Sequence, residues 1–218
     1  MKATAILLNY QRQPNVRLII PALRRQTVDL RIALVNNGDP YTVENDDQKP
    51  DDLWEMPFNI GPFARFLAAY IYEGWIYLQD DDILPIDDSY VEDLLTLGSE
   101  RPGVITGVSG RHIPPTAPHY QRRDSLGPTN MVKTICLVMH RKTLGRMRMP
   151  PGPVGRCDDI WASLETGGGE PVHFSEFGFH KRLKQLPHWG VGQEHEPQHY
   201  SERELFSAWW WRQGRRDA

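Results

Sequence analysis

Three short apolar runs, each followed at once by polar residues, constrain the fold of this 218-residue chain more than any other feature. They span residues 3–8, 30–35 and 75–79, and the residues that follow them are Asn9, Asn36 and Asp80. Apolar runs of this length, closed by turn-forming residues, are typical of strands that are buried on both faces of a sheet. The sequence therefore predicts an α/β fold with a mostly parallel central sheet.

Helical segments between these runs support that prediction. One helix is expected from Asn15 to about Gln26, although Pro21 either kinks it or delays its start. A second is expected over residues 63–70, after Gly61 and Pro62. Because a strand, a helix and a strand imply a parallel pair with a right-handed crossover, we expect a Rossmann-like sheet flanked by helices.

The second half of the chain predicts fewer regular elements. Strands are expected over residues 104–108 and 132–139, and a helix is expected to begin at Asp158, where acids in the first turn suit the helix dipole. The region after Gly167 is expected to be rich in loops. For the tryptophan run at 209–211, core packing is a safer interpretation than a stacking platform.

Length and composition favour one globular domain. The net charge of -3 and the moderate apolar fraction exclude a disordered or membrane-embedded chain. Apolar stretches fall far short of the roughly 20 residues that span a bilayer, so we expect no membrane insertion and a cytoplasmic protein. Two cysteines, Cys136 and Cys157, are too few for a disulfide framework or a cysteine-rich metal site.

Three successive aspartates, Asp80, Asp81 and Asp82, follow the third apolar run and are called the acidic run below. The carboxyl ends of strands are where open α/β sheets bind ligands. Adjacent carboxylates raise one another's pKa unless a cation or hydrogen-bond donors compensate them, and Mg²⁺ or Mn²⁺ is suited to that role. The alternative is a solvated acidic turn that caps a following helix.

The order of these features resembles the nucleotide-sugar-binding half of the glycosyltransferase-A fold, as found in family 2 and exostosin-like transferases. The resemblance covers residues 1 to about 90 and includes residues 59–61 before a helix that carries Arg65. It implies a single-domain glycosyltransferase, with residues 1–100 binding the nucleotide sugar and a loop-rich acceptor half at 101–218.

The resemblance also assigns roles to individual residues. Mn²⁺ or Mg²⁺ would be held by Asp82 and Asp80, and a UDP-sugar is the favoured donor. The residues implied in donor binding are Asn9, Tyr10, Arg12, Asn36, Asn37, Asn59, Arg65, Asp80 and Asp81. Because these families often have an aspartate where this chain has asparagine at the second strand end, the base of the donor is left open.

A second acidic pair, Asp158 and Asp159, resembles the acidic step that starts the acceptor-side helix in these families. A carboxylate there can remove the proton from the acceptor hydroxyl, and Asp159 is preferred for that role. Two N-terminal acids that only stabilise a helix are the alternative. His195 or His199 is a candidate to complete the metal shell.

The sequence does not identify the acceptor beyond its hydroxyl group, but the charge distribution suggests one class of acceptor. Residues 1–118 contain 10 Lys and Arg against 17 Asp and Glu (net -7), and residues 119–218 contain 15 against 11 (net +4). Basic residues in the second half suit a nucleic-acid acceptor, such as a hydroxymethylated base of phage-type DNA. An uneven surface without a partner is the simpler interpretation.

Two other classes of function stay open. A sugar nucleotidyltransferase shares the α/β layout and an acidic metal site, but usually has a glycine-rich loop after its first strand, and residues 9–14 contain no glycine. A non-catalytic nucleotide-sugar-binding module would keep the metal site without turnover.

Overall fold

The computed structural model describes residues 2–114, 125–152, 154–188 and 198–214. The strands are Lys2–Asn9 (β1), Asp29–Asn36 (β2), Asp52–Glu55 (β3), Trp75–Gln79 (β4), Ile83–Pro85 (β5), Thr106–Gly107 (β6), Gly110–Arg111 (β7), Gly127–Thr129 (β8), Met131–Val132 (β9), Cys136–His140 (β10), His173–Ser175 (β11) and Leu183–Gln185 (β12). The α-helices are Gln13–Arg24 (α1), Ala64–Ala69 (α2), Tyr90–Ser99 (α3), Arg141–Leu144 (α4), Asp158–Gly167 (α5) and Gln198–Gly214 (α6). Single 3-10 segments span Asp46–Gln48 and Phe177–Arg182.

Among the described residues, the central sheet has eight strands in the order β3-β2-β1-β4-β10-β6-β11-β8. Its first four strands are parallel, and Asn9 at the end of β1 pairs in register with Asn36 at the end of β2. β10 then adds antiparallel to β4. This arrangement confirms the predicted single-domain α/β fold with a mostly parallel sheet and flanking helices. Two small ribbons, β5 with β12 and β7 with β9, lie outside the central sheet.

Apolar side chains cover both faces of the sheet, as expected for buried parallel strands. Along β1, Leu7 belongs to a cluster with α1 and α3, whereas Ile6 belongs to a cluster with α2 and α5. Both are 0% exposed, and burial of one such side chain contributes roughly 1.5–3 kcal/mol. These two apolar layers fix the positions of the helices against the sheet, and therefore the positions of the side chains at the helix ends.

Several element bounds differ from those predicted. α1 begins at Gln13 and runs through Pro21, so the proline does not delay its start. The strand predicted at 104–108 is reduced to Thr106–Gly107. The strand predicted at 132–139 is two strands, because β9 pairs with β7 whereas β10 pairs with β4. No proline or glycine between residues 132 and 139 marks this change of sheet in the sequence.

The loop-rich prediction for the region after Gly167 was wrong for its last described part, where residues 198–214 form α6. Residues 198–213 contain neither proline nor glycine, which allows the helix, while three successive tryptophans obscure any helical periodicity. Trp210 and Trp211 lie in the core, 4% and 7% exposed, which confirms the packing interpretation. Among the described residues, no helix is both long and apolar enough to cross a membrane.

Candidate functional site

The acidic run lies at the edge of the sheet where β1, β2 and β4 all end. β4 ends at Gln79, and Asp80 follows it directly, as predicted. Because the three strands are parallel, the chain segments after Asn9 and Asn36 meet the acidic run at the same edge. The site is therefore assembled from loops that the parallel sheet brings together.

Arg65, near the start of α2, connects the acidic run to the start of α5. Its Nη1 lies 2.5 Å from an oxygen of Asp80, and its Nε lies 3.5 Å from Oδ2 of Asp158. The Arg65 side chain is only 7% exposed. The two carboxylates on either side raise the pKa of Arg65 against the opposing effect of burial, so the guanidinium stays charged. Arg65 thus joins the two acidic clusters that the sequence singled out.

Arg12 contacts the other two aspartates of the acidic run. Its Nη1 lies 2.5 Å from Oδ1 of Asp81 and 3.1 Å from Oδ2 of Asp82. The backbone N–H of Tyr10 donates to the second oxygen of Asp81 at 3.0 Å. Burial raises the pKa of Asp81, whereas Arg12 and Tyr10 oppose that rise. The loop after β1 is therefore fastened to the acidic run, and Tyr10 and Arg12 lie where the sequence predicted.

Asp82 has a histidine neighbour that the sequence analysis missed. Nδ1 of His188 lies 3.2 Å from Oδ2 of Asp82, and the side chain of His188 is half exposed. Burial, and then the charge of Asp80, raise the pKa of Asp82 to about 6. His188 follows β12, which pairs with β5 immediately after the acidic run. Nothing in the local sequence around His188 indicates this long-range pairing.

The chemistry of this donor set fits a divalent cation. Mg²⁺ and Mn²⁺ are commonly held by one or two carboxylates, with phosphate oxygens of a substrate completing the shell. Asp80 and Asp82 supply such carboxylates. Each of them already lies beside a guanidinium group, Arg65 next to Asp80 and Arg12 next to Asp82, so a positive charge is favoured there. Within the described ranges, however, no three His, Cys, Asp or Glu side chains form a ready metal cluster.

Of the two histidines that the sequence proposed as metal ligands, His199 belongs to no such cluster among the described residues. His199 lies in the first turn of α6, with its ring 5.2 Å from that of Tyr200. His195 lies outside the described residues. Of the described histidines, His188 is the one found beside Asp82.

Asn9 and Asn36 frame the site from within the fold. Both are 0% exposed, and Nδ2 of Asn9 donates to Oδ1 of Asn36 at 2.6 Å. Oδ1 of Asn9 accepts from the backbone of Arg12, and Nδ2 of Asn36 donates to Glu55 at 2.6 Å. Their amides are used to hold the loops after β1 and β2 in place.

Asn37 offers a hydrogen-bonding atom that the fold does not use. Its Nδ2 donates to the carbonyl of Gly61 at 3.0 Å, but its Oδ1 is buried with no hydrogen-bond partner among the described residues. A buried acceptor without a donor is costly, so it marks a position where a ligand N–H would be favourable. Asn59 is exposed, and its side chain accepts from the backbone of Gly61 at 2.8 Å.

The second acidic pair opens α5, as predicted, but its two carboxylates have different surroundings. Both oxygens of Asp159 accept from Nη2 of Arg203 in α6, at 2.7 and 2.6 Å. Oδ2 of Asp158 has no hydrogen-bond partner within the described part of the chain. Burial raises the pKa of Asp158 to about 7, with Arg65 opposing that rise and Asp159 adding to it. Burial therefore favours the protonated form of Asp158.

Several basic residues of the second half form ion pairs within the described part of the fold. Arg148 forms a 2.8 Å ion pair with Glu165, and Arg182 pairs with Asp87 and Asp93. Of the other basic residues that raised the nucleic-acid option, Arg122, Arg123, Arg215 and Arg216 lie outside the described residues.

No protein-family model matches the sequence, and no curated protein matches it significantly. Solved structures do match. The mannosyltransferase PcManGT from Pyrobaculum calidifontis, in complex with GDP-Man and Mn²⁺, has a TM-score of 0.57 and 15% identity over 77% of this chain and 52% of that one. S. aureus TarS 1-349 has a TM-score of 0.54 and 16% identity over 76% of this chain and 55% of that one. The complex of TarS 1-349 with UDP-GlcNAc has a TM-score of 0.52 and 16% identity over 85% of this chain and 55% of that one.

This chain therefore spans about half the length of those proteins. At such identity the likeness shows the fold, and it agrees with the predicted resemblance. The chain has the α/β fold of glycosyltransferases, with a mostly parallel central sheet and flanking helices.

Proposed function

We propose that this protein transfers a sugar from a nucleoside-diphosphate sugar to the hydroxyl group of an acceptor. The observation that carries the proposal is the juxtaposition of two acidic clusters across one buried arginine. Arg65 contacts Asp80 of the acidic run on one side and Asp158 at the start of α5 on the other. One cluster would serve the donor diphosphate, and the other would serve the acceptor.

Donor binding would use the carboxyl edge of the sheet. Structures with this fold have been solved with GDP-Man and with UDP-GlcNAc, which supports a nucleotide sugar as the donor class. We assign Asn37 to the nucleoside, because its buried Oδ1 is available to accept an N–H of a base. Tyr10 and Arg12 would line the same side, with Arg65 toward the diphosphate, whereas Asn9, Asn36 and Asn59 would shape the loops.

Asp80 and Asp82 would hold Mn²⁺ or Mg²⁺, and His188, 3.2 Å from Asp82, would orient that carboxylate. A mannosyltransferase with this fold was solved with Mn²⁺, which supports a divalent ion in this class. Bound there, the ion would neutralise charge on the departing nucleoside diphosphate. Asp81, which is tied to Tyr10 and Arg12, would hold the acidic run against the loop after β1.

Asp158 would accept the proton of the acceptor hydroxyl. A base is most effective when its pKa lies near the working pH, and the pKa of Asp158 is raised to about 7. Sequence reasoning preferred Asp159, but both of its oxygens are bound to Arg203. We therefore assign Asp159 to holding the start of α5 in place.

Thermal unfolding with UDP, GDP and their sugars, each with Mn²⁺ or with a chelator, tests this proposal. A ligand that binds only the native state raises the melting temperature. We expect a metal-dependent rise with at least one nucleotide, and slow hydrolysis of the corresponding sugar donor.

Variants then locate the site. Asp82→Asn is expected to abolish the metal-dependent rise, and His188→Ala to weaken it. Asp88→Asn, which changes an aspartate that follows β5 and is 58% exposed, is the matched control and should behave as wild type. If no nucleotide stabilises the wild-type protein in the presence of metal, the proposed function is wrong.

A further inference from the structure

A buried amide closes the turn that carries the acidic run. Gln79, the last residue of β4, is 0% exposed. Its Nε2 donates to the backbone carbonyl of Ile83 at 2.5 Å, and Ile83 is the first residue of β5. The bond therefore spans the three aspartates and joins the end of the central sheet to the β5–β12 ribbon.

The opposite end of the Gln79 amide is also fixed. Its Oε1 accepts from the hydroxyl of Tyr77 at 2.6 Å, and Tyr77 is fully buried in the same strand. Burial holds the pKa of Tyr77 well above its usual range, so the phenol keeps its proton and can donate. This bond orients the amide with its NH₂ group toward Ile83. A buried polar pair of this kind stays in one arrangement, because breaking either bond would leave an unpaired group in the core.

The turn needs such a support because its side chains repel one another. Asp80, Asp81 and Asp82 lie within one turn, and mutual repulsion adds to the raised pKa of both Asp81 and Asp82. From outside, the carbonyl of Asp82 accepts from the backbone N–H of Leu186 at 2.7 Å. Gln79 supplies the corresponding bond from inside the fold.

We infer that Gln79 is a positioning residue, which holds the acidic run in the conformation that presents Asp80 and Asp82 to the diphosphate of the donor. This inference rests on the proposed function for the identity of the ligand, but not for the conformation of the turn. Gln79 touches neither donor nor metal in this assignment. It acts through the backbone of Ile83.

Two variants separate this role from ordinary packing. Gln79→Met keeps the length of the side chain and removes both hydrogen bonds. Gln79→Glu keeps the acceptor but can donate to Ile83 only when protonated. Cys136→Ala is the matched control for a change in the same buried layer, because Cys136 is the cross-strand partner of Gln79 and its Sγ lies 3.3 Å from the Tyr77 hydroxyl.

The measurements are hydrogen exchange at the amides of residues 80–83 and the affinity for UDP or GDP with Mn²⁺, whichever stabilises the wild type. We expect faster exchange and about tenfold weaker nucleotide binding in Gln79→Met, the scale of one lost buried hydrogen bond, and neither change in Cys136→Ala. Gln79→Glu, which as a carboxylate has no N–H or O–H to donate to Ile83, should likewise show faster exchange at residues 80–83.

Wild-type exchange at residues 80–83 in Gln79→Met would overturn the inference, and so would equal losses of affinity in Gln79→Met and Cys136→Ala. If the wild-type protein binds no nucleotide, the proposed function fails separately. Exchange at residues 80–83 then decides whether Gln79 holds the turn.

Discussion

Replacing Asp158 by asparagine should stabilise the protein, and more so at alkaline pH than at acidic pH. The pKa of Asp158 is about 7 in the fold, against 3.8 for an unperturbed aspartate. Because the folded state binds this proton more tightly than the unfolded state, the stabilisation from protonation is complete below pH 3.8 and is lost as the pH rises through 7. Asparagine has the same shape but carries no charge at any pH.

The size of the effect follows from about 1.36 kcal/mol for each pH unit between the two pKa values. At pH 5 the wild-type carboxyl costs about 2 kcal/mol relative to asparagine, and at pH 8 it costs about 4 kcal/mol. The advantage of the variant should therefore grow by about 2–3 kcal/mol between these pH values. Asp82, whose pKa is also raised, is present in both proteins and cancels in the comparison.

Urea unfolding of wild type and Asp158→Asn at pH 5 and pH 8 measures this difference. Asp88→Asn is again the control, and a substitution at this exposed position should change stability by less than about 0.5 kcal/mol at either pH. An equal gap between wild type and Asp158→Asn at both pH values would refute the reasoning that Asp158 titrates near neutrality. Under the proposed function, the stabilised variant should still bind nucleotide but lose turnover.

Other contacts of the fold lead to two further expectations. Arg203→Met should destabilise the protein by about 3–5 kcal/mol, because it leaves the buried carboxylate of Asp159 without its ion-pair partner, and adding Asp159→Asn should restore much of the loss in urea unfolding. Equal stability of the single and double variants would contradict this. Gly169→Ala should lower stability by roughly 1–3 kcal/mol, since φ is +81° and a Cβ there would lie 2.4 Å from a tryptophan ring of α6. Gly152→Ala, where a Cβ meets nothing within 4 Å, is the control, and an equal loss there would contradict the packing argument.

The parts of the site that local sequence encodes were predictable. β4 was predicted with its observed bounds, because an apolar run ends where the acidic run begins, and the acidic run follows it as expected. Parallel pairing of β1, β2 and β4 then places Tyr10 and Arg12 near Asp81 without further information.

The parts that depend on long-range pairing were not predictable. His188 reaches Asp82 only because a three-residue polar strand pairs with β5, and strands that short have no periodicity to detect. The difference between the surroundings of Asp158 and Asp159 depends on Arg203, 44 residues beyond Asp159 in the chain. Adjacent acids at a helix start look alike until the partner of each is known.

The β5–β12 ribbon also sets the order in which the site can be completed during synthesis. The turn at Asp82 gains its backbone partner Leu186 only after more than a hundred further residues have been added. Likewise, the edge of β4 that faces away from β1 stays unpaired until β10 has been added. Contacts of such long sequence separation form late and slowly. A nascent or truncated chain that ends before residue 183 would therefore expose an acidic turn that lacks the hydrogen bond from Leu186.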